Sequence, residues 1–308
     1  MRVRFAPVMA NKIVPRGNVQ VTDFHQRQQY LKSTQMKDAH SIGPGSIIRR
    51  KDDGSLEYLR DELTIEEPLE IRIGSKTLAT TMRTPGNDDE LAAGFLLSEA
   101  IVGDRQQVAK ISTGADNVVV VELARGVRVK LNTAQRFGTI SSSCGLCGKT
   151  SIDALRQNFP AIASANVRIE IAKLLSLPEK LRKAQSDFAR TGGIHAAGIF
   201  DLNGELKIVR EDIGRHNAVD KAIGHAFLAG SLPLDRHILL VSGRASFEIV
   251  QKALAAGIPI MAAVSAPSSL AVDFARENNQ TLIGFLRPPF FNIYSHIERV
   301  ILEVRHPA

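Results

Sequence analysis

Two cysteines, Cys144 and Cys147, are the only cysteines among 308 residues, and they are spaced C-x-x-C. Gly145 and Gly148 follow them and leave the backbone free to turn tightly around both sulfurs. The segment from Lys149 onward predicts the first turns of a helix. A lysine and a helix N-terminus both favour the thiolate and lower the pKa of a cysteine. The pattern predicts a catalytic pair of thiols, an interpretation that we favour over two buried small residues in a loop.

The composition limits the class of protein. With 44% hydrophobic residues, the chain can bury one large core or two ordinary ones. It has no run of 18 apolar residues and no signal-peptide pattern at its start, so no contact with a membrane is expected. Two cysteines in such a chain indicate a reducing compartment, which predicts a cytoplasmic protein. With 5% aromatic residues and no tryptophan, the chain offers no stacking platform for nucleic acid.

The positive charge is concentrated at the start of the chain. Residues 1–60 hold eleven Lys and Arg against five Asp and Glu, which gives them +6 of the net charge of +7. A basic segment with few apolar residues cannot bury much surface. We therefore expect residues 1–60 to form a weakly ordered leader.

The following residues, 61–140, predict a small α+β domain. Apolar and polar residues alternate as in strands, Gly74-Ser75 suits a two-residue hairpin turn, and Asn87 or Asp88 can cap a helix. The predicted elements are strands at 63–73 and 77–83, a helix that ends near 99, and a hairpin of strands 118–123 and 127–131 around Arg125-Gly126. The C-x-x-C loop, residues 141–150, leaves this domain.

Residues 151–308 predict a larger domain of the α/β class (α+β overall). Two helical segments come first, the second at Pro178–Arg190 with proline in its first turn. A hairpin around Asn203-Gly204 and a regular alternation of helices and strands follow. The predicted elements are strands at 194–202, 206–210, 237–241, 259–264 and 281–286, and helices at 216–229, 246–257 and 268–278. This order predicts a three-layer sandwich around a mixed sheet that is largely parallel beyond the hairpin.

The same order of elements is that of the cytidine-deaminase-like fold. Zinc deaminases carry H-x-E at one helix start and P-C-x-x-C at the next. Here Ala218 stands two residues after His216, where the motif needs a glutamate, and the loop Ser242–Ser246 has no cysteine. We therefore expect this fold without deaminase chemistry.

Polar residues gather where predicted strands end, which is where α/β sheets bind ligands. Within one run, the candidates to hold an anion are Arg210, Arg215, His216 and Lys221, with Asp212 to orient a base or a ribose. A solvated, salt-bridged loop is the alternative interpretation of that run.

The next helix start offers Gly243 and Arg244, where backbone N–H groups and a guanidinium suit a phosphate. His195 begins a strand, a position at which a histidine is more often structural. Small residues with cationic or hydroxyl groups at three successive junctions predict a nucleotide-bearing cofactor rather than free phosphate.

Seven segments of the sequence together resemble a known family. They are Glu66–Leu69, Thr84–Leu96, Ser142–Gly148, Thr191–His195, Arg210–Lys221, Ser242–Arg244 and Phe291–His296. They span about residues 61–300, and the run from Glu211 to Lys221 is the most specific. The family that they resemble is that of the formate dehydrogenase accessory sulfurtransferases. The leader lies largely outside the resemblance.

The resemblance implies a cytoplasmic homodimer of deaminase-like fold that carries sulfur as a persulfide on Cys144. A cysteine desulfurase would supply the sulfur, and the molybdenum of bis-(molybdopterin guanine dinucleotide) would receive it before that cofactor enters formate dehydrogenase. Cys147 would resolve the persulfide or help to release the sulfur. The cofactor-binding stretch would be Phe291, Asn292, Ile293, Tyr294, Ser295 and His296, and GDP would mimic a fragment of the cofactor.

Two other functions fit the cysteine pair less well. A thiol–disulfide oxidoreductase of the thioredoxin type should carry C-x-x-C soon after a first β-α-β unit rather than between two domains. A zinc-binding module would need histidines such as His195 as further ligands, because the chain has no second C-x-x-C.

Overall fold

The computed structural model describes residues 41–114, 116–127, 139–140, 159–163 and 166–302, with the backbone alone for 139 and 140. Cys144, Cys147 and the whole predicted loop 141–150 lie outside the described residues, as do residues 1–40 of the predicted leader.

The last part of the predicted leader is a hairpin. Strands β1 (Ile42–Arg50) and β2 (Leu56–Thr64) pair antiparallel. In the turn, Oδ1 of Asp53 accepts bonds from the N–H and the hydroxyl of Ser55, at 2.9 and 2.6 Å, and Gly54 has φ 84°. The prediction of weak order up to residue 60 is therefore wrong from β1 onward, because an Asp-Gly turn and strand pairing outweigh the charged composition.

A five-stranded sheet follows the hairpin. Its strands are β3 (Glu67–Ile73), β4 (Lys76–Arg83), β5 (Val108–Thr113), β6 (Val118–Leu123) and β7 (Thr139–Ile140). They are ordered β5-β6-β3-β4-β7, with β3 antiparallel to β4 and parallel to β6. Ile73 pairs with Lys76, which confirms the predicted turn between them.

The partner of β6 differs from the predicted one. β6 has β5 on one edge and β3 on the other. Because residues 119–121 are paired on both edges, the predicted pairing of strands 118–123 and 127–131 is wrong over those residues. The turn predicted at Arg125-Gly126 is present, since the Val127 N–H donates to the Ala124 carbonyl at 3.1 Å. Residues 128–131 themselves lie outside the described part of the chain.

A six-stranded sheet forms the centre of the second half of the chain. Its strands are β9 (His195–Asp201), β10 (Leu206–Asp212), β11 (His237–Val241), β12 (Ile260–Ala263), β13 (Thr281–Arg287) and β14 (Phe290–Ser295), in the order β10-β9-β11-β12-β13-β14. β11, β12 and β13 run parallel, whereas β9 is antiparallel to both its neighbours and β14 is antiparallel to β13. The predicted mixed sheet and α/β class are confirmed, and β14 is an additional strand. A short parallel pair, β8 (Ile169–Glu170) and β15 (Val300–Ile301), accompanies the sheet.

Helices cover both faces of this sheet. They are α1 (Asp88–Ser98), α2 (Ile171–Ala184), α3 (Ser186–Thr191), α4 (Arg215–Leu228), α5 (Phe247–Ala255) and α6 (Ser269–Glu277). Leu174, Leu177 and Leu181 of α2 pack in one core, with Phe200 and Leu240 from the sheet. Residues of α4, α5 and α6 pack in a second core on the opposite face, which also contains α1 and the five-stranded sheet. The arrangement has the predicted three layers.

Helix α2 begins earlier than predicted. Pro178 lies inside α2, not in the first turn of a helix at 178–190. Leucines at 174, 177 and 181 give an apolar stripe that begins before the proline, and its burial outweighs the lost backbone hydrogen bond.

Two glycines let α1 and α4 touch through their backbones. A Cβ atom at Gly94 would lie 1.9 Å from the carbonyl oxygen of Asp220, and one at Gly224 would lie 1.8 Å from that of Glu90. No side chain fits at either place, so the glycines set the distance between these helices. This contact joins the five-stranded sheet and α1 to the layer of α4.

Candidate functional site

Strand ends of the six-stranded sheet meet at one polar edge, which we define as the ends of β10, β11 and β12 with the start of β9. Because β9 runs antiparallel to β10, His195 at its start pairs with Asp212 at the end of β10. Ser242, just after β11, accepts a bond from the Ala196 N–H through its hydroxyl at 2.9 Å and donates its own N–H to the Ala196 carbonyl at 3.0 Å. The loop after β11 is thus fixed against β9.

Three of the predicted site residues, His195, Gly243 and Arg215, converge at the polar edge. A Cβ atom on Gly243 would lie 3.4 Å from Nδ1 of His195 and 3.7 Å from Cβ of Arg215. Burial lowers the pKa of His195, and the charges of Arg215 and Arg244 lower it further against the opposing charge of Asp212. His195 is therefore neutral at pH 7 and can donate or accept a hydrogen bond.

Arg244 is the exposed cation of this edge. Its loop is held by backbone bonds from the Ala245 N–H to the Ala266 carbonyl at 3.1 Å and from the Ser268 N–H to the Ala245 carbonyl at 3.0 Å. Within the described residues, no carboxylate pairs with Arg244. A guanidinium on a fixed loop at the start of α5 is suited to bind an anion.

The other cations of the predicted anion site are bound inside the protein. Arg210 donates to both oxygens of Glu90, and its Nη2 also lies 2.8 Å from Nδ1 of His225. Lys221, which is 1% exposed, lies 2.7 Å from Asp212 and donates to the Thr84 carbonyl. The prediction that Arg210 and Lys221 hold a ligand anion is wrong, because each already neutralises a carboxylate.

Asp212 is likewise not available for a base or a ribose. Its side chain is fully buried and accepts bonds from the N–H groups of Thr84 and Gly214, from the Asn217 amide and from Lys221. Burial raises the pKa of Asp212, although Lys221 opposes that rise. The predicted ligand role of Asp212 is therefore also wrong, and the residue fixes the start of α4.

His216 lies behind the polar edge rather than on it. It is 7% exposed, and its Nε2 is 3.0 Å from Oγ of Ser246 and 3.2 Å from Oε2 of Glu248. Glu248 was not predicted as a site residue. An acidic residue in the first turn of a helix is common, because it complements the helix dipole, and so gives no sequence signal of a site.

The predicted segment Phe291–His296 runs from the polar edge to the opposite one. Asn292 pairs with Gly284, and a Cβ on Gly284 would lie 2.9 Å from the ring of Tyr294 and 2.8 Å from Pro267, in the loop bonded to Ala245. Phe291 and Ile293 alternate with these residues and pack against the α2 core. Asn292 and Tyr294 are thus the members of the segment that lie beside the loop bonded to Ala245.

Ser295 and His296 lie at the other end of the sheet. The hydroxyl of Ser295 accepts from the Leu282 N–H and donates to the Gln280 carbonyl, and the His296 carbonyl accepts from the Thr281 hydroxyl. The structure does not bring these two residues to the polar edge.

The part of the chain that the structure describes has no group of three or more His, Cys, Asp and Glu side chains arranged to hold a metal ion. None of its helices is both long and apolar enough to cross a membrane. The predicted catalytic residues, Cys144 and Cys147, lie outside that part.

The model of the FdhD/NarQ family matches residues 64–301, which is most of the chain. The chain belongs to the FdhD/NarQ family. Family membership confirms the predicted resemblance.

The chain aligns with named relatives over nearly the whole length of each relative. It is 52% identical over 268 residues to a protein of Streptomyces avermitilis named sulfur carrier protein FdhD, covering 83% of this chain and 95% of that one. A protein of the same name from Mycobacterium tuberculosis is 48% identical over 259 residues, covering 78% and 92%.

A solved structure has the same fold. The crystal structure of a candidate formate dehydrogenase accessory protein from Desulfotalea psychrophila superimposes with a TM-score of 0.70. It covers 85% of this chain and 100% of its own at 22% identity. At that identity the likeness describes the fold alone.

Proposed function

We propose that this chain is a sulfur carrier that acts in the maturation of formate dehydrogenase. The observation that carries the proposal is the 52% identity, over 83% of the chain, to a protein named as a sulfur carrier. The C-x-x-C pair of the sequence supplies the chemistry, and the polar edge supplies a place for an anionic acceptor molecule.

Sulfur is loaded by thiolate attack on a persulfide donor. The Cys144 thiolate attacks the outer sulfur of a donor persulfide, as a cysteine desulfurase would present, forming Cys144–S–SH and releasing the donor thiolate. The exchange keeps the number of electrons constant, so it needs no oxidant. A free thiol pair is compatible with a reducing compartment, and we place the exchange in the cytoplasm.

Sulfur is released with the help of the second cysteine. The Cys147 thiolate attacks the inner sulfur of the persulfide, which forms the Cys144–Cys147 disulfide and releases hydrosulfide. Hydrosulfide is a soft ligand that binds a soft metal centre such as molybdenum. A dithiol reductant then restores both thiols.

The substrate that receives the sulfur is bis-(molybdopterin guanine dinucleotide). Each guanine nucleotide tail carries two phosphates, and the polar edge offers the exposed guanidinium of Arg244 with Arg215 and a neutral His195 beside it. Asn292 and Tyr294 lie next to the same loops and can contact the base or the sugar. We assign the nucleotide tail to this edge.

The fold that carries this site is of the cytidine-deaminase-like type. The first five strands of the six-stranded sheet lie in the order 2-1-3-4-5, with the first strand antiparallel to both neighbours. This order supports the assignment, and the loop Ser242–Ser246 takes the position at which the deaminases have their cysteines.

Two nucleotide tails per cofactor fit a homodimer in which each copy presents one polar edge. In such a homodimer the cofactor would lie between the two copies of the chain, and it would then be transferred to formate dehydrogenase. Analytical ultracentrifugation with and without GDP tests the number of copies.

Replacement of Arg244 tests the nucleotide site. Loss of a hydrogen bond to a charged group costs about 1.5–3 kcal/mol, so Arg244→Ala should bind GDP roughly 10- to 150-fold more weakly in calorimetric titration. Arg236→Ala is the matched control. It also removes an exposed arginine, but one that precedes the first residue of β11, at the end of the strand away from the polar edge. Equal GDP affinity of the two variants would exclude the polar edge as the phosphate site.

A further inference from the structure

Two serines occupy equivalent positions at the starts of α5 and α6, but their side chains have different partners. Ser246 (φ −82°, ψ 163°) and Ser268 (φ −85°, ψ 158°) precede their helices with nearly the same backbone conformation. Ser268 caps its helix, since its hydroxyl accepts from the Ala271 N–H at 3.2 Å. Ser246 makes no capping bond, and its hydroxyl instead lies 3.0 Å from Nε2 of His216. The histidine, not the backbone, accounts for the difference.

Glu248 determines which atom of this pair carries the hydrogen. Its Oε2 lies 3.2 Å from the same Nε2 of His216, and a carboxylate can only accept a hydrogen bond. We therefore assign a proton to Nε2, which is shared between Oε2 of Glu248 and Oγ of Ser246, so that Nε2 cannot accept a hydrogen bond from the serine. The single hydrogen of the serine is left to point to another acceptor. The serine hydrogen points away from the ring both when the imidazole is protonated at Nε2 alone and when it is the charged imidazolium.

We propose that His216 and Glu248 are positioning residues that hold the Ser246 hydroxyl as a hydrogen-bond donor to a phosphate at the polar edge. This inference rests on the nucleotide site proposed above. Ser246 is partly exposed and follows Arg244 by two residues, so both can reach one phosphate. His216 and Glu248, each 7% exposed, lie too deep to contact it and act through the serine.

Calorimetric titration with GDP tests the effect on binding. Ser246→Ala should lose about tenfold in affinity, which is typical of one hydrogen bond to a charged group. His216→Leu should lose as much, because the freed hydroxyl can turn back and cap α5 as Ser268 caps α6. The double variant should bind no more weakly than either single one, and Ser268→Ala should bind like the wild type.

The conservative variant separates positioning from a general structural role. His216→Gln places an amide N–H near the position of Nε2 and should keep most of the affinity. A folded His216→Leu chain with wild-type affinity, or losses that multiply in the double variant, would overturn the proposal.

A measurement without ligand tests the orientation of the hydroxyl. Long-range 1H–15N spectra report the tautomer of each histidine ring, and comparison with His216→Gln assigns the signal of His216. We expect a protonated Nε2 in the wild type and a shift towards the Nδ1–H tautomer in Glu248→Gln. A wild-type His216 protonated at Nδ1 alone would contradict the inference, since Ser246 would then donate to the ring. Absence of GDP binding by the wild type would instead remove the phosphate site itself.

Discussion

Replacement of Gly224 by alanine tests how closely α1 and α4 pack. The added Cβ would lie 1.8 Å from the Glu90 carbonyl oxygen, which is 1.6 Å short of the 3.4 Å of ordinary contact, and 2.8 Å from the Gly94 nitrogen. Alanine in a helix interior is about 1 kcal/mol more favourable than glycine, whereas overpacking costs about 1–3 kcal/mol or more. Because the opposing atoms are backbone atoms of a buried helix, we expect the upper end and a net loss of about 2 kcal/mol.

Equilibrium unfolding in urea measures this free energy directly. Gly114→Ala is the matched control, because its Cβ would lie 3.5 Å from the nearest atom, the Val118 carbonyl oxygen. That control should change the free energy of unfolding by no more than about 0.5 kcal/mol. A Gly224→Ala chain as stable as the wild type, or more stable, would refute the close packing of α1 and α4. The higher helix propensity of alanine would then outweigh any steric cost.

Two further predictions concern the buried charges around α4. Lys221→Met leaves Asp212 as a fully buried carboxyl without its cation, so the free energy of unfolding should fall by about 3–5 kcal/mol. A loss below about 1 kcal/mol in urea unfolding would show that the pair is not needed. Burial alone would raise the pKa of Glu90, but bonds from Arg210 and His225 outweigh it and lower that pKa below its usual 4.5. This stabilisation is present above pH 4.5 and is lost as the pH falls through the lowered pKa. Thermal unfolding of Glu90→Gln should therefore depend less on pH in that acidic range than unfolding of the wild type, and parallel pH profiles would contradict the assignment.

The larger sheet could be predicted from sequence because its signals are local. The Asn203-Gly204 turn and the alternation of short apolar runs with helical segments each act within a few residues. Each predicted strand from β9 to β13 agrees with the structure to within two residues at either end. Composition misled the prediction for β1 and β2, because averaging over 60 residues hides the local Asp53-Gly54 turn signal.

The ligand site could be predicted only in part, because charged residues do not reveal their partners. Arg210 is bound to Glu90, which is 120 positions away, and Lys221 is bound to Asp212 inside the core. In the sequence, Arg210 and Lys221 are cations near predicted strand ends, as is Arg244. Only the structure shows that the Arg244 side chain is exposed whereas the other two are paired with carboxylates. The role of Gly94 and Gly224 was equally hidden, since a glycine inside a helix does not show which backbone approaches it.

The intact mass of the protein after incubation with a cysteine desulfurase and cysteine tests the central claim most directly. Cys147→Ala should gain one sulfur atom that a reductant removes, because Cys144 carries the persulfide and no second thiol displaces its sulfur. The wild type, which has that second thiol, should load in the same way and then end as the Cys144–Cys147 disulfide. Cys144→Ala should gain none and should fail to support formate dehydrogenase activity in a strain without the native gene. Loading of Cys144→Ala to the level of Cys147→Ala would contradict the assignment of the carrier cysteine.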